Sequence, residues 1–338
     1  MSDDDSATFR RHENLYRAAL PHLERHALSV PRLAAWIEAR LAELQLFPAA
    51  LAEEKYVPQI TVFTSTCAPR VASERGLQHA AEFLFAFFVL NDATRDEESP
   101  EVDVRHDFIE RWLEGLNQEY GGRAARFQEA FALYRASLVH ERTLELRPPI
   151  TWSEYTDRAL GRHQWVATAP YLELWELCEG VVVPEEERAA CDELKATAVD
   201  LTYVANDLGS FGRDGASKNF VSLIADETGC NREEALRATV EFYVAQAHSF
   251  SEQAAALGAA RDYVDLVACV TDGNLRATTF LATSDREGRY APEVRELLEE
   301  LAHRALLAPG SAGGALDRRG SEHAALDFAK DGPPSSWK

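Results

Sequence analysis

Long apolar runs are absent from this sequence: no stretch approaches the roughly 18 residues needed to span a bilayer, and the N-terminus, MSDDDSATFRRHE, is acidic and polar where a secretory signal is basic and then apolar. Basic residues are scarce. Thirty-five Lys and Arg stand against fifty-six Asp and Glu, a formal net charge of −21, which argues against sequence-independent contact with nucleic acid or an anionic membrane surface. Cysteine is thin and scattered: Cys67, Cys178, Cys191, Cys230 and Cys269 form no CxxC pair and no even framework, as expected of reduced thiols in a cytoplasm. Alternating strand patterns are almost missing, the Val181 to Val183 run being too short to count. There is no internal repeat, and His163 and the other histidines show no metal spacing. The expectation is a soluble cytoplasmic protein without a membrane span.

What is present is helical periodicity. Phe108, Ile109, Trp112, Leu113 and Leu116 form one apolar stripe, Phe127, Phe131, Tyr134 and Leu138 a second, and Leu236, Val240, Tyr243, Val244, Ala247 and Phe250 a third. Breaks are expected at Pro48, Pro58, Ser99-Pro100, Gly121-Gly122, Pro148-Pro149, Pro184 and Gly229. Residues 1–11 read as disordered and residues 309–338, rich in Gly, Ser and Pro, as a flexible tail. Between them, residues 12–308 read as one all-α domain, and 338 residues suffice for a sizeable core.

Two segments carry polar groups that a core would not choose. In LTYVANDLGSFGRDGASKNF, Asn206, Ser210 and Asp214 recur every four residues and so share one helical face. Oxygen ligands of mixed charge suit Mg²⁺, which is usually completed by water and substrate phosphates. In AEFLFAFFVLNDATRDEE, an apolar run from Phe83 to Leu90 delivers Asn91, Asp92, Asp96, Glu97 and Glu98. Carboxylates one turn apart repel one another unless a proton or a cation neutralises them. Two such faces suggest one shared metal cluster.

With both segments placed, the chain resembles a bacterial class I terpene synthase from roughly residue 47 to residue 292. N206-D-L-G-S210-F-G-R-D214 resembles the Asn-Ser-Glu metal motif of that family with Asp in the last position, and the following K218-N-F-V-S-L is similar to what comes after it. FFVLNDATRDE resembles the aspartate-rich motif, its leading pair written Asn91-Asp92; we take Asp92 as the principal ligand, with Asp96 one turn on. R158-A-L-G-R-H-Q-W-V-A-T-A-P resembles the segment with the diphosphate-sensing arginine, which the count back from Pro170 places at Arg162, with Trp165 and Val166 in the kinked stretch beside the substrate. Arg289-Tyr290 resembles the C-terminal pair that reaches the diphosphate, and Arg213 the basic residue that does so from within the metal motif.

The resemblance implies an all-α class I terpenoid synthase bundle around a central cavity. It also implies three Mg²⁺ held by Asp92, Asp96, Asn206, Ser210 and Asp214, and a diphosphate bound by Arg162, Arg213, Arg289 and Tyr290. The implied reaction is ionisation of an isoprenyl diphosphate followed by cyclisation, with farnesyl diphosphate expected ahead of geranylgeranyl diphosphate; a homodimer is common in the family. Phe85, Phe88, Trp165, Val166, Tyr203 and Phe280 are the cavity-lining candidates, because cation–π contacts contribute roughly 0.5–2 kcal/mol each when desolvated. Two alternatives stay open: a head-to-head prenyl-coupling enzyme of the squalene or phytoene synthase type, since D92-A-T-R-D96 also reads as DxxxD, and a catalytically inactive helical scaffold.

Overall fold

The computed structural model describes residues 29–69, 72–93, 101–146, 150–211, 219–283 and 292–304, and of residues 92–93, 101–104, 283 and 303–304 the backbone alone. In chain order the elements are α1 (Val30–Leu44), a helical turn (Ala49–Leu51) and a π turn (Ala52–Tyr56) leading into α2 (Val57–Thr66), and α3 (Glu74–Ala93). Next come α4 (Glu101–Tyr120), a 3₁₀ turn (Gly121–Ala124), α5 (Ala125–Glu145), the short α6 (Trp152–Tyr155) and α7 (Arg162–Trp165), and α8 (Thr168–Glu179). A second 3₁₀ turn (Glu185–Glu187) precedes α9 (Arg188–Ser210), followed by α10 (Phe220–Thr228), α11 (Arg232–Ala256), α12 (Arg261–Thr283) and α13 (Pro292–Arg304). No β-strand occurs among the described residues, and no helix among them is long and apolar enough to cross a membrane.

The local signals explain most boundaries. Asn231 starts α11 with a reciprocal capping box to Glu234, while Gly180 and Gly229 end α8 and α10 in the left-handed conformation. Pro58 behaves differently from the break expected there. The chain stays helical from Ala49 to Thr66, and Pro58 falls in the first turn of α2 directly after the π turn, where its missing N–H breaks no helical hydrogen bond.

Five helices form a closed ring, each packed on the next: α2 on α3, α3 on α8, α8 on α9, α9 on α12, and α12 back on α2. Side-chain contacts fix their directions. Gly76 at the start of α3 faces Trp175 and Glu179 at the end of α8, so those two run antiparallel. Arg188 at the start of α9 pairs with Glu176 near the end of α8 at 3.0 Å, so α8 and α9 are also antiparallel. Gly209 late in α9 faces Thr278 late in α12, which makes that pair parallel. Tyr56, at the entry to α2, meets Phe88, near the end of α3, with ring centroids 5.2 Å apart.

One end of the ring, the mouth, therefore collects the start of α2, the end of α3, the start of α8 and the ends of α9 and α12. At Gly273 of α12 an added Cβ would lie 2.1 Å from the Thr66 carbonyl oxygen, so only glycine lets α2 and α12 come this close. Around the ring lie α1 on α2, α4 on α3, α5 on α8, α11 on α9, and α13 on both α9 and α12.

The opposite end is shut by charge as well as by packing. The Glu173 carboxylate, 5% exposed, accepts hydrogen bonds from Arg126 at 3.0 and 3.1 Å and from Lys195, and Asp192 accepts from both Arg126 at 2.8 Å and Lys195 at 3.2 Å. Burial works against ionised Glu173, yet Arg126 and Lys195 hold it below the ordinary carboxylate range. The apolar core above it is aromatic: Phe83 meets Trp112, Phe127, Phe131 and Tyr171 with centroids 5.1 to 6.4 Å apart. All five cysteines are free thiols, Cys67 and Cys191 buried.

Candidate active site at the mouth of the ring

Three separate stretches of chain converge where α9 ends. Arg162 opens α7, and its Nε donates to Asp207 Oδ1 at 2.9 Å while Nη2 donates to Asn206 Oδ1 at 2.8 Å and also to Asp207 Oδ1. Asp207 is 1% exposed, and its second carboxylate oxygen accepts the Phe220 backbone N–H at 2.9 Å. A buried carboxylate tolerates this only because a guanidinium and a backbone amide both meet it. Asn219 caps α10 by accepting from the Val221 N–H at 3.0 Å, and its amide donates to the Asp207 carbonyl at 2.6 Å and to Ser210 Oγ at 3.4 Å. Asn206, Ser210, Arg162 and the start of α10 are thus one hydrogen-bonded unit.

The approach to Arg162 is built with equal economy of space. An added Cβ at Gly161 would lie 2.6 Å from each of the Asp157, Glu154 and Tyr155 carbonyl oxygens, so the turn that delivers Arg162 admits glycine alone. Trp165 donates from Nε1 to the Leu160 carbonyl at 2.6 Å, Gln164 donates to the Arg158 carbonyl at 2.8 Å, and His163 Nδ1 lies 3.1 Å from Asp200 Oδ1. Between α7 and α8 the backbone reverses at Ala167, which sits at φ 56° and ψ 12°. A side chain in that left-handed region costs about 1 kcal/mol. The kink expected at Trp165 and Val166 is present, one residue later.

Of the other expected metal ligands, Asp92 lies on the last turn of α3 at the mouth, its backbone described; Asp96 and Asp214 lie outside the described residues, as do Arg213, Arg289 and Tyr290. Asn91 donates from its amide to the Phe87 carbonyl at 3.0 Å and to the Tyr134 hydroxyl at 3.4 Å. Burial pushes the Tyr134 hydroxyl well above the ordinary phenol range, so it stays protonated. Among the described residues no three His, Cys, Asp or Glu side chains converge as a metal site. The oxygens of Asn206 and Ser210, one turn apart on α9 at the mouth, are of the hard type that suits Mg²⁺.

The aromatic candidates separate. Phe88 is half-buried beside Tyr56 and Phe87 at the mouth. Phe280 is half-buried near the end of α12, packed on Val30, Ala34, Val62 and Ala277. Val166 is half-buried at the kink. Phe85 is fully buried on the far side of α3, against Trp36 of α1 and Phe108 of α4. Tyr203 and Trp165 both pack edge-on against Tyr155, Tyr203 also touching Phe220, which places them beneath the Arg162 and Asp207 unit. Asp207 and Asn219 themselves went unnoticed as site residues in the sequence. An Asp inside the apolar stretch LTYVAND, and an Asn directly before the apolar run FVSLI, were the available signals.

A five-membered helical ring closed by ion pairs at one end, with an arginine, an amide and a hydroxyl gathered at the other, defines a class I terpenoid synthase fold. Residues 71–247, just over half of the chain, match the model for terpene synthase family 2, C-terminal metal binding. The chain belongs to that family and is a class I terpene synthase, a lyase acting on prenyl diphosphates. Among solved structures it is similar to the linalool/nerolidol synthase of Streptomyces clavuligerus in complex with 2-fluorogeranyl diphosphate, at 18% identity over 72% of this chain and 96% of that one, TM-score 0.63. It is also similar to a eudesmol synthase, at 16% identity over 76% and 95%, TM-score 0.63. A third is the aristolochene synthase of Penicillium roqueforti, at 16% over 72% and 92%, TM-score 0.55. No curated protein sequence matches the chain.

Proposed function

We propose that the protein ionises farnesyl diphosphate, with geranylgeranyl diphosphate as the next candidate, and cyclises the resulting carbocation within the helical ring. The observation that carries this reading is the union of Arg162 with Asn206 and Asp207, side chains 44 and 45 positions apart in sequence that meet at the mouth. Asp92 and Asp96 on one side and Asn206, Ser210 and Asp214 on the other would hold Mg²⁺, three ions by family resemblance. Bound there, the ions supply electrophilic stabilisation of the leaving diphosphate.

The chain's own residues do the rest. The guanidinium fork of Arg162 matches phosphate geometry, and Arg213, Arg289 and Tyr290 are proposed to donate to the same leaving group. The apolar interior of the ring would keep bulk water from the cation. Phe88, with Phe87 and Tyr56 beside it at the mouth, narrows the entrance and favours the shorter substrate. The neighbour solved with 2-fluorogeranyl diphosphate supports a prenyl diphosphate ligand at this mouth, and the five free thiols support a cytoplasmic setting.

The test is incubation with geranyl, farnesyl and geranylgeranyl diphosphate, with and without Mg²⁺, followed by a diphosphate assay and gas chromatography with mass spectrometry. A cyclic product from farnesyl diphosphate that needs Mg²⁺, and that EDTA abolishes without changing the helical circular dichroism, is the expected result. A coupled product of two prenyl chains would move the protein to head-to-head synthases. No diphosphate release from any of the three would make it a scaffold.

A further inference from the structure

Helix α12 presents its outer face through Asp265, Asp272, Arg276 and Thr279, all partly exposed, with Arg276 paired to Asp272 at 2.7 Å. Asn274 stands two residues from both Asp272 and Arg276, which at 100° per residue turns it roughly opposite them, into the ring. Its flanks confirm the direction. Gly273 faces α2 and Thr278 faces Gly209 of α9, so Asn274 points between the two walls that α12 touches. Around it the inner face is apolar and buried: Val267, Val270. In this setting the Asn274 Oδ1 is buried without a hydrogen-bond partner, and so is Thr278 Oγ1 one turn further toward the mouth.

Thr278 departs from the habit of its own helix. Thr271 and Thr279 each bond back to the carbonyl four residues earlier, at 2.8 Å, the usual resolution for threonine in a helix. Thr278 does not, though it is 7% exposed. Two buried oxygens, four residues apart on one face and both unpartnered, meet the requirement for a bound water, which needs two or more polar partners.

We propose that Asn274 and Thr278 hold the water that ends the reaction, so that the product is a terpene alcohol. The inference rests on the proposed ionisation of a prenyl diphosphate and names how its cation is discharged. The water oxygen gives a lone pair to the cationic carbon and forms the C–O bond, and one water proton passes to the released diphosphate. Asn274 accepts a hydrogen bond from the water and thereby turns its lone pair toward the substrate. Both residues are positioning residues that act through the water.

The experiment is turnover of farnesyl diphosphate with Mg²⁺ in H₂¹⁸O, reading released diphosphate and the labelled alcohol together. A principal product carrying ¹⁸O is expected from the unaltered protein. In Asn274→Leu, and separately in the near-isosteric Thr278→Val, the alcohol formed per diphosphate released should fall about tenfold in favour of hydrocarbon, the effect of losing one good hydrogen bond to the water. Diphosphate release with hydrocarbon alone from the unaltered protein overturns the inference. So does an undiminished alcohol fraction in both variants. Absence of diphosphate release from every prenyl diphosphate overturns the proposed function, and this inference with it.

Discussion

Helix α9 carries polar clusters at both ends, and they are built on different terms. Near its start, Asp192 and Lys195 join Arg126 and Glu173 in a network where each charge meets an opposite one. Near its end, Asn206, Asp207 and Ser210 join Arg162 and Asn219, and three of these five side chains are neutral. The first cluster is complete within the chain and fastens α5, α8 and α9 together. The second joins α7, α9 and the start of α10, and is the one proposed to meet a ligand. Similar residue types on one helix thus meet in a network of charges alone at one end, and in one that mixes the Arg162–Asp207 ion pair with neutral amides and a hydroxyl at the other; closure is the role of the first, and chemistry is the role proposed for the second.

Breaking the mouth should cost activity and spare the fold. Asn206→Ala and Asp92→Ala should each lower diphosphate release by at least about 10³-fold, the scale of losing an electrostatic clamp, with circular dichroism unchanged. Asn91→Ala should retain substantial turnover; loss at Asn91 with survival at Asp92 would exchange their roles.

Breaking the base should do the reverse. Lys195→Met, which leaves buried Glu173 with Arg126 alone, should lower unfolding free energy by roughly 3 kcal/mol in urea denaturation, while the folded fraction keeps its turnover. The pH dependence follows from the depressed Glu173 carboxylate. Its contribution is fully present above the unfolded carboxylate range and is lost as pH falls through the lower folded value. In Lys195→Met that folded value rises, so acid unfolding should begin at higher pH than in the unaltered protein.

The smallest effect is expected at the junction between the clusters. Ala167→Gly relieves a left-handed alanine, and its gain of about 1 kcal/mol is partly offset by the entropy of the freer glycine in the unfolded chain. A rise in melting temperature of a degree or two would show it, and a fall would mean that the Ala167 methyl packs.

The helical architecture was legible because its signals are local. The stripes at Phe108 to Leu116 and Phe127 to Leu138 are buried as their spacing predicts, Leu113 partly, and Gly229 ends a helix where it should. Asn206 and Ser210 were legible for the same reason, since a four-residue interval is a property of one helix. The partnership of Asp207 with Arg162 was not, because 45 residues separate them and the contact exists only once α7 and α9 are folded against each other. Phe85 marks another limit. A helix buried on both sides has no periodic signal to tell the face toward the ring from the face toward Trp36 and Phe108.

The hydrogen bond from Asn219 to Ser210 Oγ gives the proposed metal motif a property akin to a clasp. The chain that leaves α9 after Ser210 returns at Asn219 to the point it left, with both ends fastened to Asp207. The intervening residues are an excursion closed at both ends by this clasp, and doubling the length of such a loop costs only about 0.6 kcal/mol in closure entropy. Asp214 lies on that excursion, whereas Asn206 and Ser210 belong to the helix. The proposed last ligand of the motif can therefore be exchanged or respaced while the clasp at Asp207 keeps both ends of the excursion together.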